Sequence, residues 1–187
     1  MKVKFRFSGR GGQGIKFLGS ALVRVAMTAN LHATLAVDYT PSVRGGPIFC
    51  DVVISSDPID YIYVAGDADY FFAIDQKGFD RACECITDRT VSFIDANTID
   101  SQAEELVTKG TMYRVPITKR ADEENVTGAV NILSLGFLSE YLLKTGKPNL
   151  TDEQYVQVFH KMRNSENNIR TFKLGKDLYQ EIFNGTS

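Results

Sequence analysis

The sequence predicts an α/β chain on a three-layer plan: a mixed sheet, parallel at its core with an antiparallel hairpin, followed by a helical C-terminal segment. Three observations predict it. A short apolar run, Val3 to Phe7, feeds directly into the glycine-rich stretch RFSGRGGQG at residues 6–14. Strand-like runs then alternate with helix-period segments, as βαβ units do. Two β-rich runs, IFCDVVIS and IDYIYVA, are joined only by the short SDP turn, which points to antiparallel pairing between them.

Each element has a local cause. Val3 to Ser8 reads as a strand. Gly14 to about Ala29 reads as a helix, because Ile15, Leu18, Leu22, Val25 and Ala26 recur at helical spacing. Asn30 and His32 mark its exit, and Ala33 to Asp38 reads as the second strand. YTPSVRGGP, Tyr39 to Pro47, is a turn-rich loop, and the two β-rich runs of the hairpin follow it. Asp69 to Asp75 is a strand, Gly78 to Ile86 a short helix, Thr90 to Ala96 a strand, and Thr111 to Ile117 another. Asn125 to Lys144 is a long helix with an apolar face of Val126, Val130, Leu133, Leu135, Leu138 and Leu142. Thr151 opens the next helix, with Gln154 three residues on in capping-box spacing. A last helix spans about Ser165 to Phe183. No repeat, low-complexity tract or linker interrupts residues 1–187, which read as a single domain.

The bulk composition narrows the function classes. Hydrophobic residues make up 43% and charged residues 24% of 187, ordinary for a globular protein with a sizeable core. A formal net charge of -2 argues against a nucleic-acid partner. No apolar run is long enough to span a membrane, and Lys2, Lys4 and Arg6 interrupt the first apolar stretch, unlike a signal peptide. A cytoplasmic setting is expected. Cys50, Cys83 and Cys85, an odd number, are expected as free thiols.

The spacing Gly9-x-Gly11-x-x-Gly14 is that of a dinucleotide turn, which makes the domain Rossmann-like. Backbone N–H groups at the helix start and the helix dipole favour an anion there. Asp38, about 24 residues beyond Gly14, sits near where a ribose-binding carboxylate would. The same turn also forms where a helix packs tightly on a sheet or a partner subunit docks, and Asp38 also suits a strand end. Ile15 follows Gly14, so the lysine of an ATP-hydrolysing P-loop is absent.

Four stretches form an ordered series: GRGGQG at 9–14, PSVRGGP at 41–47, VNILSLG at 130–136 and NNIRTFKLG at 167–175. Together they resemble the gamma subunit of 2-oxoacid:ferredoxin (or acceptor) oxidoreductases, the pyruvate/ketoisovalerate oxidoreductase common domain. The hairpin PIFCDVVIS and the closing NIRTFKLG look most like the 2-oxoglutarate type. The loop departs from the pattern, with Ser42-Val43 directly before Arg44 in place of a Tyr-Gly-Pro-Glu type insert.

The resemblance implies a complex that decarboxylates a 2-oxoacid on thiamine diphosphate with Mg²⁺. Electrons pass through [4Fe–4S] clusters to ferredoxin or flavodoxin, and the acyl group passes to coenzyme A. Alpha, beta and ferredoxin-like delta subunits are the implied partners. It also implies that Gly9, Gly11, Gly12, Gln13 and Gly14, with Arg44, Gly45 and Gly46, lie near the junction with the catalytic subunits. There they serve subunit contact or hold coenzyme A; an Arg44 guanidinium could clamp a carboxylate or phosphate. No catalytic residue and no metal ligand is expected on this chain. AGDAD at 65–69 is not the Gly-Asp-Gly stretch of a thiamine site, and three cysteines do not supply the four thiolates of a [4Fe–4S] cluster.

Other residues read more plainly. His32 and His160 lack neighbours at metal-ligand spacing. Asp67 and Asp69 read as loop solvation or a cap, and KRADEEN and RNSENN as solvated helix starts. Asn131 resembles the family's helix asparagine; it reaches back to the glycine turn or bonds within the core. Two functional classes follow. One is an obligate subunit with an interface of roughly 2,000 Å² or more. The other is a free-standing dinucleotide-binding reductase; a cofactor-free binding module is a weaker third. A dinucleotide enzyme should carry a helix after the Asp38 strand, where RGGPIFCDVVIS stands instead.

Overall fold

A computed structural model of the chain describes residues 1–39, 45–61, 63–64, 66–103 and 109–185. Among these, six strands form one sheet: β1 (Lys2–Arg10), β2 (His32–Tyr39), β3 (Pro47–Ser55), β4 (Tyr70–Ala73), β5 (Val91–Asp95) and β6 (Thr111–Val115). Their order is β2-β3-β1-β4-β5-β6. β1, β4, β5 and β6 run parallel, and β3 lies antiparallel between β1 and β2. The helices are α1 (Ile15–Thr28), α2 (Gln76–Ala82), α3 (Ile117–Glu123), α4 (Val130–Thr145), α5 (Asp152–His160) and α6 (Ser165–Asn184).

Strand side chains alternate between two cores, as a period of two requires. Phe5, Phe7, Cys50, Val52, Phe72 and Phe93 face the thick layer of α1 and α3 to α6. Phe49, Val53, Phe71, Ala73 and Ile94 face the thin layer that contains α2. The expected three-layer mixed sheet with a helical C-terminal segment is therefore present. Thr151 and Gln154 form the expected capping box, the Thr151 N–H donating to Gln154 Oε1 at 2.8 Å. Asn30 leaves α1 with a φ of 55°, the left-handed exit an asparagine tolerates.

Two local expectations are corrected. The antiparallel hairpin is formed by β2 and β3; the run from Ile59 onward is not a strand in its described residues. Both edges of β3 are already occupied, by β1 and β2, so no ladder is free for a further partner. The segment is instead tied to the thin face: the Val64 N–H donates to Asp51 Oδ2 at 2.8 Å, and its carbonyl accepts from the Arg6 guanidinium at 2.7 Å. The strand expected to run to Ile117 ends at Val115. Pro116, which has no N–H for the ladder, closes it, and Ile117 opens α3. KRADEEN is thus the body of α3 and its exit rather than a helix start, while RNSENN does open α6. Among the described residues no helix is long and apolar enough to cross a membrane.

Candidate functional site

The glycine turn closes the carboxyl end of β1 and starts α1. Gln13 folds it: the Arg10 N–H donates to Gln13 Oε1 at 2.8 Å, and the Gln13 N–H donates to the Arg10 carbonyl at 3.2 Å. Gln13 is thus a brace within the turn. Gly14 is the residue before α1 and has a φ of 75°, a conformation that a Cβ penalises. A Cβ there would also meet Asn131 Nδ2 at 2.4 Å. Asn131, buried at the start of α4, does reach back to the turn: its Nδ2 donates to the Gly14 carbonyl at 3.3 Å. Gly14→Ala should therefore cost about 1–2 kcal/mol of stability. Gly14→Ala combined with Asn131→Ala should cost less than the two separate losses, since the clash is then gone. Urea denaturation of the three variants checks this; simple additivity would rule out the contact as the cause.

The two expected motifs meet through their backbones. The Gly11 N–H donates to the Gly46 carbonyl at 2.9 Å, and a Cβ on Gly11 would lie 3.4 Å from Gly45 Cα. Gly45, with a φ of 75°, faces open space, as does Gly12 with a φ of 99°. Gly9 has a different use. A Cβ on Gly78 would sit 2.3 Å from the Gly9 nitrogen, so α2 rests directly on the β1 backbone. Of the residues expected at this site, Gly11, Gly45 and Gly46 touch, Gln13 and Gly14 shape the turn, Gly9 receives α2, and Gly12 faces open space. Arg44 lies outside the described residues.

This geometry speaks against a dinucleotide pocket. Such a pocket needs the acid-bearing strand next to β1, but β3 lies between them, with Gly9 opposite Ile48 and Asp38 opposite Phe49. Two strand spacings, roughly 10 Å, separate Asp38 from the turn. Its carboxylate faces Arg81 instead, at 3.4 Å. On the other side, the α2–Gly9 contact fills the space beside β1. Asp67 and Asp69 sit at the opposite end of the sheet, where Asp67 pairs with Lys4 Nζ at 2.7 Å and Asp69 accepts the Lys4 N–H at 2.8 Å.

An open groove of about 730 Å³ does adjoin the turn, on the α1 side. Its basic lining is Arg10, Lys16, Arg24, Lys161 and Arg163, and among the described residues no carboxylate borders it. Arg10 is partnered by Asp75 at 3.4 Å; no ion pair engages the other four among the described residues. The first turn of α1 has no side-chain cap and no acidic residue, whereas Asp75 caps α2 through the Lys77 N–H. The uncapped start of α1 and these cations therefore border one groove. Sequence reasoning did not find Lys161 and Arg163, which arrive from the turn between α5 and α6, far along the chain.

The cysteines fit no cluster site. Cys50 and Cys85 are buried and Cys83 half-buried, all as free thiols. Burial pushes the Cys85 thiol up to about 12 and raises Cys50 further. Among the described residues no three His, Cys, Asp or Glu side chains gather at metal-binding distance.

The family model described as pyruvate ferredoxin/flavodoxin oxidoreductase matches residues 4–178. The 2-oxoglutarate synthase subunit KorC of Methanocaldococcus jannaschii is 30% identical over 184 residues, covering 97% of this chain and 96% of that protein. Among solved structures, a keto/oxoacid ferredoxin oxidoreductase gamma subunit from Geobacter sulfurreducens shares the fold with a TM-score of 0.75 and 21% identity, over 96% of this chain and 97% of that one. A 2-oxoglutarate:ferredoxin oxidoreductase from Magnetococcus marinus, solved with 2-oxoglutarate, coenzyme A and succinyl-CoA bound, shares it with a TM-score of 0.81 and 22% identity. There the match covers 96% of this chain and 31% of that longer chain.

Proposed function

The chain belongs to the pyruvate ferredoxin/flavodoxin oxidoreductase family, and we propose that it is the gamma-type subunit of a 2-oxoacid:acceptor oxidoreductase of the 2-oxoglutarate type. The substrate class follows the KorC relative, which matches the chain nearly end to end. The observation that carries the reading is the backbone contact of Gly11 with Gly46. It joins two distant motifs into one ledge at the carboxyl end of β1, with Gly12 and Gly45 facing open space. A ledge without side chains suits the close approach of another chain.

Decarboxylation and electron transfer would be supplied by thiamine diphosphate with Mg²⁺ and by [4Fe–4S] clusters. Three mostly buried thiols cannot replace the four thiolates of a cluster, and AGDAD at 65–69 is not the Gly-Asp-Gly stretch of a thiamine site. Both groups are assigned to partner subunits of alpha, beta and ferredoxin-like delta type, with ferredoxin or flavodoxin as acceptor. This chain contributes shape. It holds the ledge rigid through Gln13 and Asn131, and it has no catalytic residue of its own. A second reading gives the glycine turn a direct hold on coenzyme A phosphates, favoured by the uncapped first turn of α1.

The test is recovery of the tagged chain from its native cells, with mass and metal analysis of what accompanies it. Larger subunits carrying iron, sulfide and thiamine diphosphate are expected. A chain that comes alone and binds NAD(P) by calorimetry would overturn the reading. Arg44→Ala should weaken assembly, or raise the KM for coenzyme A, while the chain melts as before. Normal assembly together with normal coenzyme A kinetics would remove Arg44 from the site.

A further inference from the structure

We infer that the basic face formed by α1 and the turn between α5 and α6 is a docking surface for an acidic segment of a partner subunit. The inference rests on the subunit reading above and names the chemistry of the contact.

Four cations, Lys16, Arg24, Lys161 and Arg163, are exposed on this face and line one groove that no carboxylate borders among the described residues. The whole chain carries a formal charge of -2, so this is a local gathering of positive charge against the overall sign. Uncompensated cations this close raise the free energy of the isolated chain, and an acidic partner relieves them.

Apolar anchors accompany the charges. Phe17 and Met27 on α1 are 37% and 62% exposed, and they are among the few large apolar side chains that reach solvent. Phe17, Ser20, Arg24 and Met27 follow one another by three, four and three residues, the spacing of a single helix face. Met162 adds a half-buried apolar contact on the far wall of the groove. An aromatic, a methionine and arginines over a depleted acidic background are the composition of protein interfaces.

Extent favours a macromolecule over a free polyanion. From Phe17 to Met27 the helix advances about 15 Å, and the α5–α6 turn widens the face beyond that. A small ligand held by the glycine turn has no need of Met27, two helical turns beyond Ser20.

The experiment compares the assembled complex of the wild type with that of a Lys161→Glu/Arg163→Glu variant. Both residues are exposed and make no ion pair among the described residues, so the variant should melt with the wild type. We expect the wild-type complex to weaken as salt rises to about 0.5 M. The variant should recover at least about tenfold less partner at low salt, with a Lys161→Gln/Arg163→Gln variant in between. Hydrogen exchange on the wild-type complex gives a second measure that needs no variant: the amides of α1 and of residues 161–163 should be slowed relative to the free chain. Undiminished assembly of the glutamate variant, or unchanged exchange on α1, would overturn the inference and leave the subunit reading intact. So would calorimetric binding of pyrophosphate or coenzyme A to the isolated chain that the variant loses while assembling normally; the face would then serve a small anion. A wild-type chain that recovers no partner fails the subunit reading itself, and this inference with it.

Discussion

Replacing Arg6 by Met should destabilise the chain by about 3–5 kcal/mol, the cost of leaving a buried carboxylate without its partner. Arg6 and Asp51 face each other directly across β1 and β3. The guanidinium donates to both carboxylate oxygens, at 2.7 and 3.0 Å, and both residues are buried. It also lies over the Phe49 ring at 4.4 Å and donates to the Val64 carbonyl. Burial strips both charges of water, so removing one strands the other. A volume-matched apolar pair, Arg6→Met with Asp51→Leu, should recover most of the loss, because no charge is then left unpaired. The same pair ties down the stretch around Val64, so either single variant should speed hydrogen exchange there first. Urea denaturation of the two single variants and the double decides it. A loss below about 1 kcal/mol in Arg6→Met would show that the pair adds nothing to the fold.

Gly175→Ala should cost about 3 kcal/mol, a fall of roughly 6–12 °C in Tm for a domain of this size. Gly136 and Gly175 form the crossing of α4 and α6. A Cβ on Gly175 would sit 2.0 Å from the Leu133 carbonyl oxygen and 2.8 Å from the Phe137 nitrogen. A Cβ on Gly136 would sit 2.0 Å from the Phe172 carbonyl oxygen. These neighbours are helix backbone and cannot swing aside. The helices must separate, and that separation opens the aromatic cluster in which Phe137 packs on Tyr179 at 5.6 Å and Tyr141 on Tyr179 at 6.3 Å. Gly136→Ala should act alike, and the two together should cost less than their sum, since the first substitution already parts the helices. Thermal and urea melts followed by circular dichroism provide the measurement. Three melts that coincide with the wild type would mean that the crossing is not close.

The two stretches that carried the family resemblance at the C-terminal end, VNILSLG and NNIRTFKLG, owe their glycines to this crossing. The residues were legible and their purpose was not. Nothing in the spacing of Gly136 says that its partner is Gly175, because that pairing depends on where α6 returns. For Asn131, in the first of these stretches, the sequence leaves open a reach back to the glycine turn or a hydrogen bond within the core, and the structure gives the turn.

Local signals sufficed wherever an element's own residues set its form. The strand into the glycine turn, the amphipathic α1 and the Thr151 capping box follow from period, capping and turn chemistry within a few residues. The long α4 was legible in its body but not at its start: Asn125, with a φ of 55°, and Val126 lie outside the helix, which begins at Val130 and is buried on nearly every side from Asn131 to Glu140 rather than along one apolar face. The order of the motifs was likewise enough for the family. Whatever depended on neighbours far along the chain required the tertiary structure. β3 inserts between β1 and β2, so the β-rich run after it found no free edge and Asp38 lost its place beside the turn. In the sequence Arg6 is one of three cations that interrupt the first apolar stretch, and only the folded sheet sets Asp51 opposite it. The basic face exists only because the α5–α6 turn carries Lys161 and Arg163 to the side of α1. Hydrogen bonding and side-chain period act over a few residues and leave their mark in sequence. Strand order, close backbone approach and the sum of charges on a surface arise from contacts between distant segments, and only the folded chain brings those together.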